Sequence, residues 1–125
     1  MNRAATEQLA SEAEEALAGF LDPGESFEVL LDGGRAAQAA HNGAHVVILG
    51  PPSLTYRTAN IVDAEWTVWL VSGPDLEQGW PRLDNLLTAL RSPLDLDTAE
   101  PDTLTGSSGS TFPAYRAVTR ATFTL

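Results

Sequence analysis

The 125-residue chain contains no cysteine, which excludes disulfides and thiolate metal sites and fits a reducing compartment. It also contains no lysine: seven arginines are its only fixed cations, against seventeen aspartates and glutamates, for a net charge of −10. A chain this acidic lacks the positive footprint that displaces counterions from phosphate, which argues against a nucleic-acid binder. Missing lysine beside abundant alanine and arginine points to a GC-rich source. No apolar run approaches the roughly 20 residues that cross a bilayer. The opening stretch "MNRAATEQLASEAEEAL" has no apolar core of the secretory kind, so no leader is expected.

The chain does have enough apolar material for one core. At 43% hydrophobic residues it reads as a single globular domain over 1–125. Its charge is unevenly placed. Residues 1–102 hold every acid with five arginines, and residues 103–125 hold only Arg116 and Arg120.

Periodicity divides the chain into elements. Leu9, Ala13, Ala16, Leu17, Phe20 and Leu21 recur at spacings of three and four, predicting a helix over 4–21 that stops at Asp22-Pro23-Gly24. "SFEVLL" at 26–31 alternates as a strand, and "DGGR" at 32–35 reads as a turn. Residues 36–44 read as loop or one helical turn, since Asn42-Gly43 would stop a longer helix. "HVVIL" at 45–49 predicts a strand covered on both faces. Residues 53–71 alternate as one long strand. One of its faces carries Val62, Ala64, Trp66, Val68 and Leu70; the other starts polar and ends in Trp69 and Val71. Asp75 is placed to cap a first turn. A main helix is expected over 81–91, with Pro81 at its start and Leu83, Leu86, Leu87 and Leu90 as its stripe. Residues 95–114 are acidic and then Gly/Ser-rich, predicting a mobile loop. A β-branched strand closes the chain over 114–125. Together these predict an α+β domain: a small, mostly antiparallel four-stranded sheet with two helices packed on one face.

The chemical motifs are weak. His41 and His45 have a zinc-like spacing of four, but Asn42-Gly43 breaks the helix that a shared face needs, and no third ligand is indicated. "GSSGS" at 106–110 lacks the glycine frame of a nucleophile elbow. Asp95, Asp97, Glu100 and Asp102 form an acidic run without the central glycine of a calcium loop. Glu65 beside Trp66 has no partner base. No constellation for catalysis, metal or cofactor emerges, so the expectation is a protein that is not an enzyme and carries no cofactor. The unabsorbed features are aromatic: Trp69, Trp80 and Tyr115 are candidates for contact anchors.

The succession "HVVILGPPSLTYRT", "AEWTVWLVSGP", "WPRLDNLLTAL", "LDLDTAEPDT" and "FPAYRAVTRATFTL" resembles that of tail terminator proteins of long-tailed, siphovirus-type bacteriophages, particularly those of actinobacteria. The resemblance covers about two thirds of the chain; residues 32–44 have no counterpart in it. It implies a small α+β domain that assembles as a homo-oligomeric, hexameric ring on the head-proximal end of the tail tube. Such a ring stops polymerisation of the major tail tube protein and offers a docking surface to the head-completion or connector protein. DNA crosses its lumen without sequence-specific binding, and an acidic lumen would repel phosphate. No membrane is involved. The protein would be made in the host cytoplasm and reside in the virion at the tail–neck junction. Two other readings stay open: a different phage neck component, and a small non-enzymatic cytoplasmic binding domain.

Under this reading the expected contact residues are Arg57, Trp69, Val71, Trp80, Tyr115, Arg116 and Arg120. The last two arginines would reach a neighbour's acids, such as Asp95 or Asp97. Leu104, Gly106, Gly109 and Phe112 belong to the expected mobile docking loop.

Overall fold

A computed structural model describes residues 2–22, 24–72, 76–106, 109 and 111–124. Asp75, expected as a cap, lies outside the described residues.

Helix α1 spans Asn2–Phe20. Its buried positions are Thr6, Ala10, Ala13 and Leu17, a repeat of four and three that traces one stripe along a helix. Three of the four are small, which lets the helix lie close to its neighbours. Phe20, expected in this stripe, is exposed. The helix ends with Leu21 donating to the Leu17 carbonyl, and Gly24 turns the chain at φ +95°.

Strand β1 (Phe27–Leu30) then runs parallel to β2 (His45–Leu49). Parallel partners need a crossover, and helix α2 (Ala36–His41) provides it. This is the segment read as loop or one helical turn, and its alanines are what make it a helix. Ala36, Ala39 and Ala40 pack flat on the sheet.

The long alternating segment is a hairpin and not one strand. Strand β3 (Ser53–Thr58) folds back on β4 (Ile61–Ser72) through Ala59 and Asn60. The turn has no glycine or proline, and a two-residue turn preserves the alternation across it, so the sequence pattern runs through unbroken. Asn60 N–H donates to the Thr58 hydroxyl there at 3.1 Å.

Helix α3 covers Leu76–Leu90, with Pro81 inside it rather than at its start. Leu83, Leu86 and Leu90 are fully buried, and Leu87 packs at the edge of the same cluster. Past α3 the chain turns through Asp95, the one described non-glycine residue with positive φ, at 51°. Leu96 N–H reaches the Arg91 carbonyl at 2.9 Å, the long bond of a Schellman-type helix end.

The expected mobile loop is corrected next. Residues Thr98–Thr105 form strand β5, paired residue for residue with β6 (Thr111–Thr124). The loop reading rested on acidic and Gly/Ser composition, but Thr98, Leu104 and Thr105 give the strand enough β-formers, and β6 supplies every partner. Between the two strands Gly109 N–H donates to the Gly106 carbonyl. Ser107, Ser108 and Ser110 lie outside the described residues.

The sheet has six strands in the order β1-β2-β4-β6-β5, with β3 also on β4. Long β4 lends one edge to both β2 and β3 and the other to β6. The fold is thus α+β with a mixed, mostly antiparallel six-stranded sheet and three helices. The expectation of four strands and two helices on one face missed β3, β5 and α2.

Two cores result. On one face α1 and α3 cover Val47, Leu49, Val68, Leu70 and Ala117. On the other, α2 covers Val46, Ile48, Val71, Phe112 and Ala114. Each large side chain so buried contributes about 1.5–3 kcal/mol. This explains the switch of the second β4 face from polar to apolar. The switch occurs where α2 begins to cover it.

Candidate functional site

Beyond the reach of α2, the second sheet face is an exposed charged lattice. Register sets it: Glu65 opposes Arg120 and Trp69 opposes Arg116 across β4 and β6, while Glu100 opposes Arg116 across β5 and β6. Arg116 pairs with Glu100 at 3.2 Å and Asp102 at 3.5 Å. Arg120 pairs with Glu65 at 3.0 Å and also with Asp97. Arg57 pairs with Asp63 at 2.8 Å within the β3–β4 hairpin. These side chains are about half exposed, so each pair is worth at most about 1 kcal/mol. Their importance is in what they occupy. Arg116 and Arg120, expected to hold a neighbour's acids, hold acids of their own chain, Asp97 among them. Asp95 joins none of these pairs; it is exposed, at the left-handed turn after α3.

The apolar candidates divide in two. Val71 is fully buried in the second core and offers no area to a neighbour. Phe112, expected in a docking loop, is likewise buried there, with Leu104 beside it. Trp69 is half-buried against the same cluster. Their inward position follows from α2, which the sequence pattern did not establish.

Trp80 and Tyr115 behave otherwise. Their rings stack with centroids 5.7 Å apart and planes at 28°, an offset arrangement that aromatic pairs favour. Tyr115 leans on the first core, while Trp80 remains 44% exposed. Gly79 produces this pairing. A Cβ at Gly79 would stand 2.5 Å from the Ser72 carbonyl oxygen and 2.7 Å from Pro113 Cγ. Only a glycine therefore lets α3 approach the ends of β4 and β6 so closely. Trp80 lines a recess of about 350 Å³ with Pro101, Asp102, Thr103 and Pro113.

A polar cluster that sequence reading missed lies beneath the start of α3. His45, buried on β2, has Nδ1 3.2 Å from the Ser72 hydroxyl. Arg82 Nη2 donates to the Gly43 carbonyl at 2.6 Å and lies 3.2 Å from His45 Nε2. Glu25 approaches the same nitrogen at 3.5 Å. Burial pushes His45 below the ordinary histidine range, Arg82 pushes the same way, and Glu25 opposes both. Arg82 as a donor favours a ring with its proton on Nδ1, where it can reach the Ser72 hydroxyl, while Glu25 favours the proton on Nε2. A serine beside a histidine suggests a nucleophile, but Ser72 and His45 are both sealed from solvent, so no substrate carbonyl reaches them. The cluster ties the end of α2 and the start of β2 to α3. Only His45 was singled out in the sequence, as half of a metal pair; its partner there, His41, is exposed at the end of α2. Among the described residues no three His, Asp or Glu side chains gather as a metal site, and no helix is long and apolar enough to cross a membrane.

No protein-family model matches the chain, and no curated protein matches it.

Proposed function

We propose that this chain is a structural, non-enzymatic subunit that assembles as a ring on the head-proximal end of a phage tail tube. There it halts addition of tube protein and presents a docking surface to the head-completion protein. The observation that carries the reading is the exposed Trp80 stacked on Tyr115. After both sheet faces have received helices, this aromatic surface remains outside, fixed in place by Gly79. A rigid aromatic at the surface of a small acidic domain is the kind of residue that anchors a protein–protein contact. The succession of sequence blocks described above supports the choice of the tail terminator family, and the α+β architecture is compatible with it.

The residues proposed for contacts narrow accordingly. Trp80 and Tyr115 stay, with Trp69 at the edge. Val71 and Phe112 serve the interior, and Arg57, Arg116 and Arg120 serve the chain's own charged lattice.

The test is the mass of the purified protein in solution at micromolar concentration. A closed ring, six times the mass of the chain by the family resemblance, is expected. A stable monomer with a small ligand bound would favour a binding module instead.

A further inference from the structure

His45 is the one buried titratable side chain among the described residues, and two groups make opposite demands on one of its nitrogens. Arg82 Nη2 stands 3.2 Å from Nε2, and a guanidinium can only donate. A Glu25 carboxylate oxygen stands 3.5 Å from the same atom, and a carboxylate can only accept. Nδ1 faces the Ser72 hydroxyl at 3.2 Å, a group that serves equally as donor or acceptor. A ring without a proton on Nε2 satisfies Arg82; a ring with one satisfies Glu25. No neutral ring satisfies both.

The two charged groups come from different elements. Arg82 belongs to α3, and Glu25 to the segment between α1 and β1. Among the described residues the other elements against the ring bring no charge to it. Phe27 of β1 lies beside His45 in register, Ser72 of β4 opposes it, and Gly43 precedes it in the α2–β2 turn. Glu28, next along β1, alternates to the other sheet face and holds Arg35. The second histidine, His41, is exposed at the end of α2. Burial and Arg82 keep the His45 ring neutral at about pH 7. The Glu25 side chain, 39% exposed against 1% for His45, connects the buried ring to solvent.

The 2.6 Å tie from Arg82 to the Gly43 carbonyl uses the same Nη2 that faces the ring, so moving that nitrogen disturbs both contacts. We infer that His45 is a two-position clasp: its neutral ring accepts from Arg82 and holds α3 to the α2–β2 turn, and its protonated ring donates to Glu25 and displaces Arg82 Nη2 from the Gly43 carbonyl. The step takes one proton from solvent and breaks no covalent bond. With a proton on both ring nitrogens, Nε2 can no longer accept, and an imidazolium 3.2 Å from a guanidinium is repelled. Gly43 stands at φ +88° and closes α2 by donating its N–H to the Ala40 carbonyl. Losing the tie therefore loosens the end of the helix that covers the second core.

The clasp goes beyond the ring reading and does not depend on it. The experiment is an NMR titration of the full chain between about pH 7.5 and about pH 4.5. It follows the His45 ring, the Arg82 side-chain N–H and the Ala44 amide, which senses the Gly43 carbonyl. All three should move together at one midpoint. In His45→Gln the Arg82 and Ala44 steps should disappear. Glu25→Gln takes the acceptor from the charged ring, so the His45 midpoint should fall by at least about half a pH unit. That variant changes a part-exposed side chain almost isosterically, so it keeps the test open if His45→Gln fails to fold. A ring that stays neutral to the lower limit, or one that titrates without moving Arg82 and Ala44, would overturn the clasp. So would an unchanged midpoint in Glu25→Gln.

Discussion

The indole N–H of Trp66, in the middle of β4, donates a 2.8 Å hydrogen bond to the hydroxyl of Thr6 on α1, sixty residues earlier in the chain. Both residues are buried, and the ring of Trp66 also meets Phe123 edge-on at 6.3 Å. The bond fixes where along the sheet α1 docks, because moving the helix by one residue would strand the indole proton. Thr6→Val keeps the shape and removes the acceptor. It should cost about 1–3 kcal/mol of stability, the penalty of an unsatisfied buried donor. Urea unfolding measures this; an unchanged midpoint would show that the bond carries nothing.

Gly79→Ala should destabilise despite alanine's preference for helices. Propensity alone would favour alanine by about 1 kcal/mol. The new methyl, however, would meet the Ser72 carbonyl oxygen at 2.5 Å, and overpacking of that kind costs about 1–3 kcal/mol. The clash opposes a rigid backbone atom, so the net change should be a loss. It should be accompanied by altered fluorescence from Trp80 as the stack on Tyr115 opens. A more stable alanine variant would contradict the close approach.

Stability should fall on mild acidification, and His45 should account for part of the fall. Burial holds its pKa in the folded chain below the ordinary histidine value of about 6.5, so below about pH 6.5 the unfolded chain takes up a proton that the folded chain refuses. The contribution is fully present above pH 6.5 and is lost as pH falls from there toward the folded value, at up to about 1.4 kcal/mol per pH unit. Chemical denaturation between pH 7.5 and 5.5 should show a steeper slope for the wild type than for His45→Gln. Equal slopes would mean that His45 accepts its proton in place.

Asp95→Gly should stabilise by up to about 1 kcal/mol. Asp95 holds a left-handed backbone at φ 51°, which costs an L-residue of this kind roughly 1 kcal/mol, and glycine adopts it without a Cβ penalty. Its greater unfolded entropy offsets part of the gain. Thermal unfolding checks the sign.

The strong periodicities were legible in the sequence. The repeats of α1 and of Leu83, Leu86 and Leu90, the double burial of 45–49 and the uniformly apolar Trp66 face all follow from spacing alone. The failures have identifiable causes. The hairpin at Ala59-Asn60 uses a turn without glycine or proline. Residues 98–105 are too polar to look like a strand, because their partner β6 and not a core holds them. The six residues of α2 are too short to show a period, and without α2 the burial of Val71 and Phe112 could not be foreseen. The pairing of Arg116 and Arg120 with acids of their own chain depends on the β5–β6 register, which a misread β5 conceals. Trp80 and Tyr115 were each identifiable as aromatics without a clear interior place. Their stacking depends on Gly79, whose role is visible only when α3 is set against β4.

The central proposal is that this chain ends the growth of a phage tail. The most direct measurement is electron microscopy of tails from a phage lysate in which the gene for this chain has been deleted. The account predicts headless tails of uncontrolled length, returning to uniform length and to joined particles when the protein is supplied. Tails of normal length beside unjoined heads would contradict it and would place the chain elsewhere in the neck.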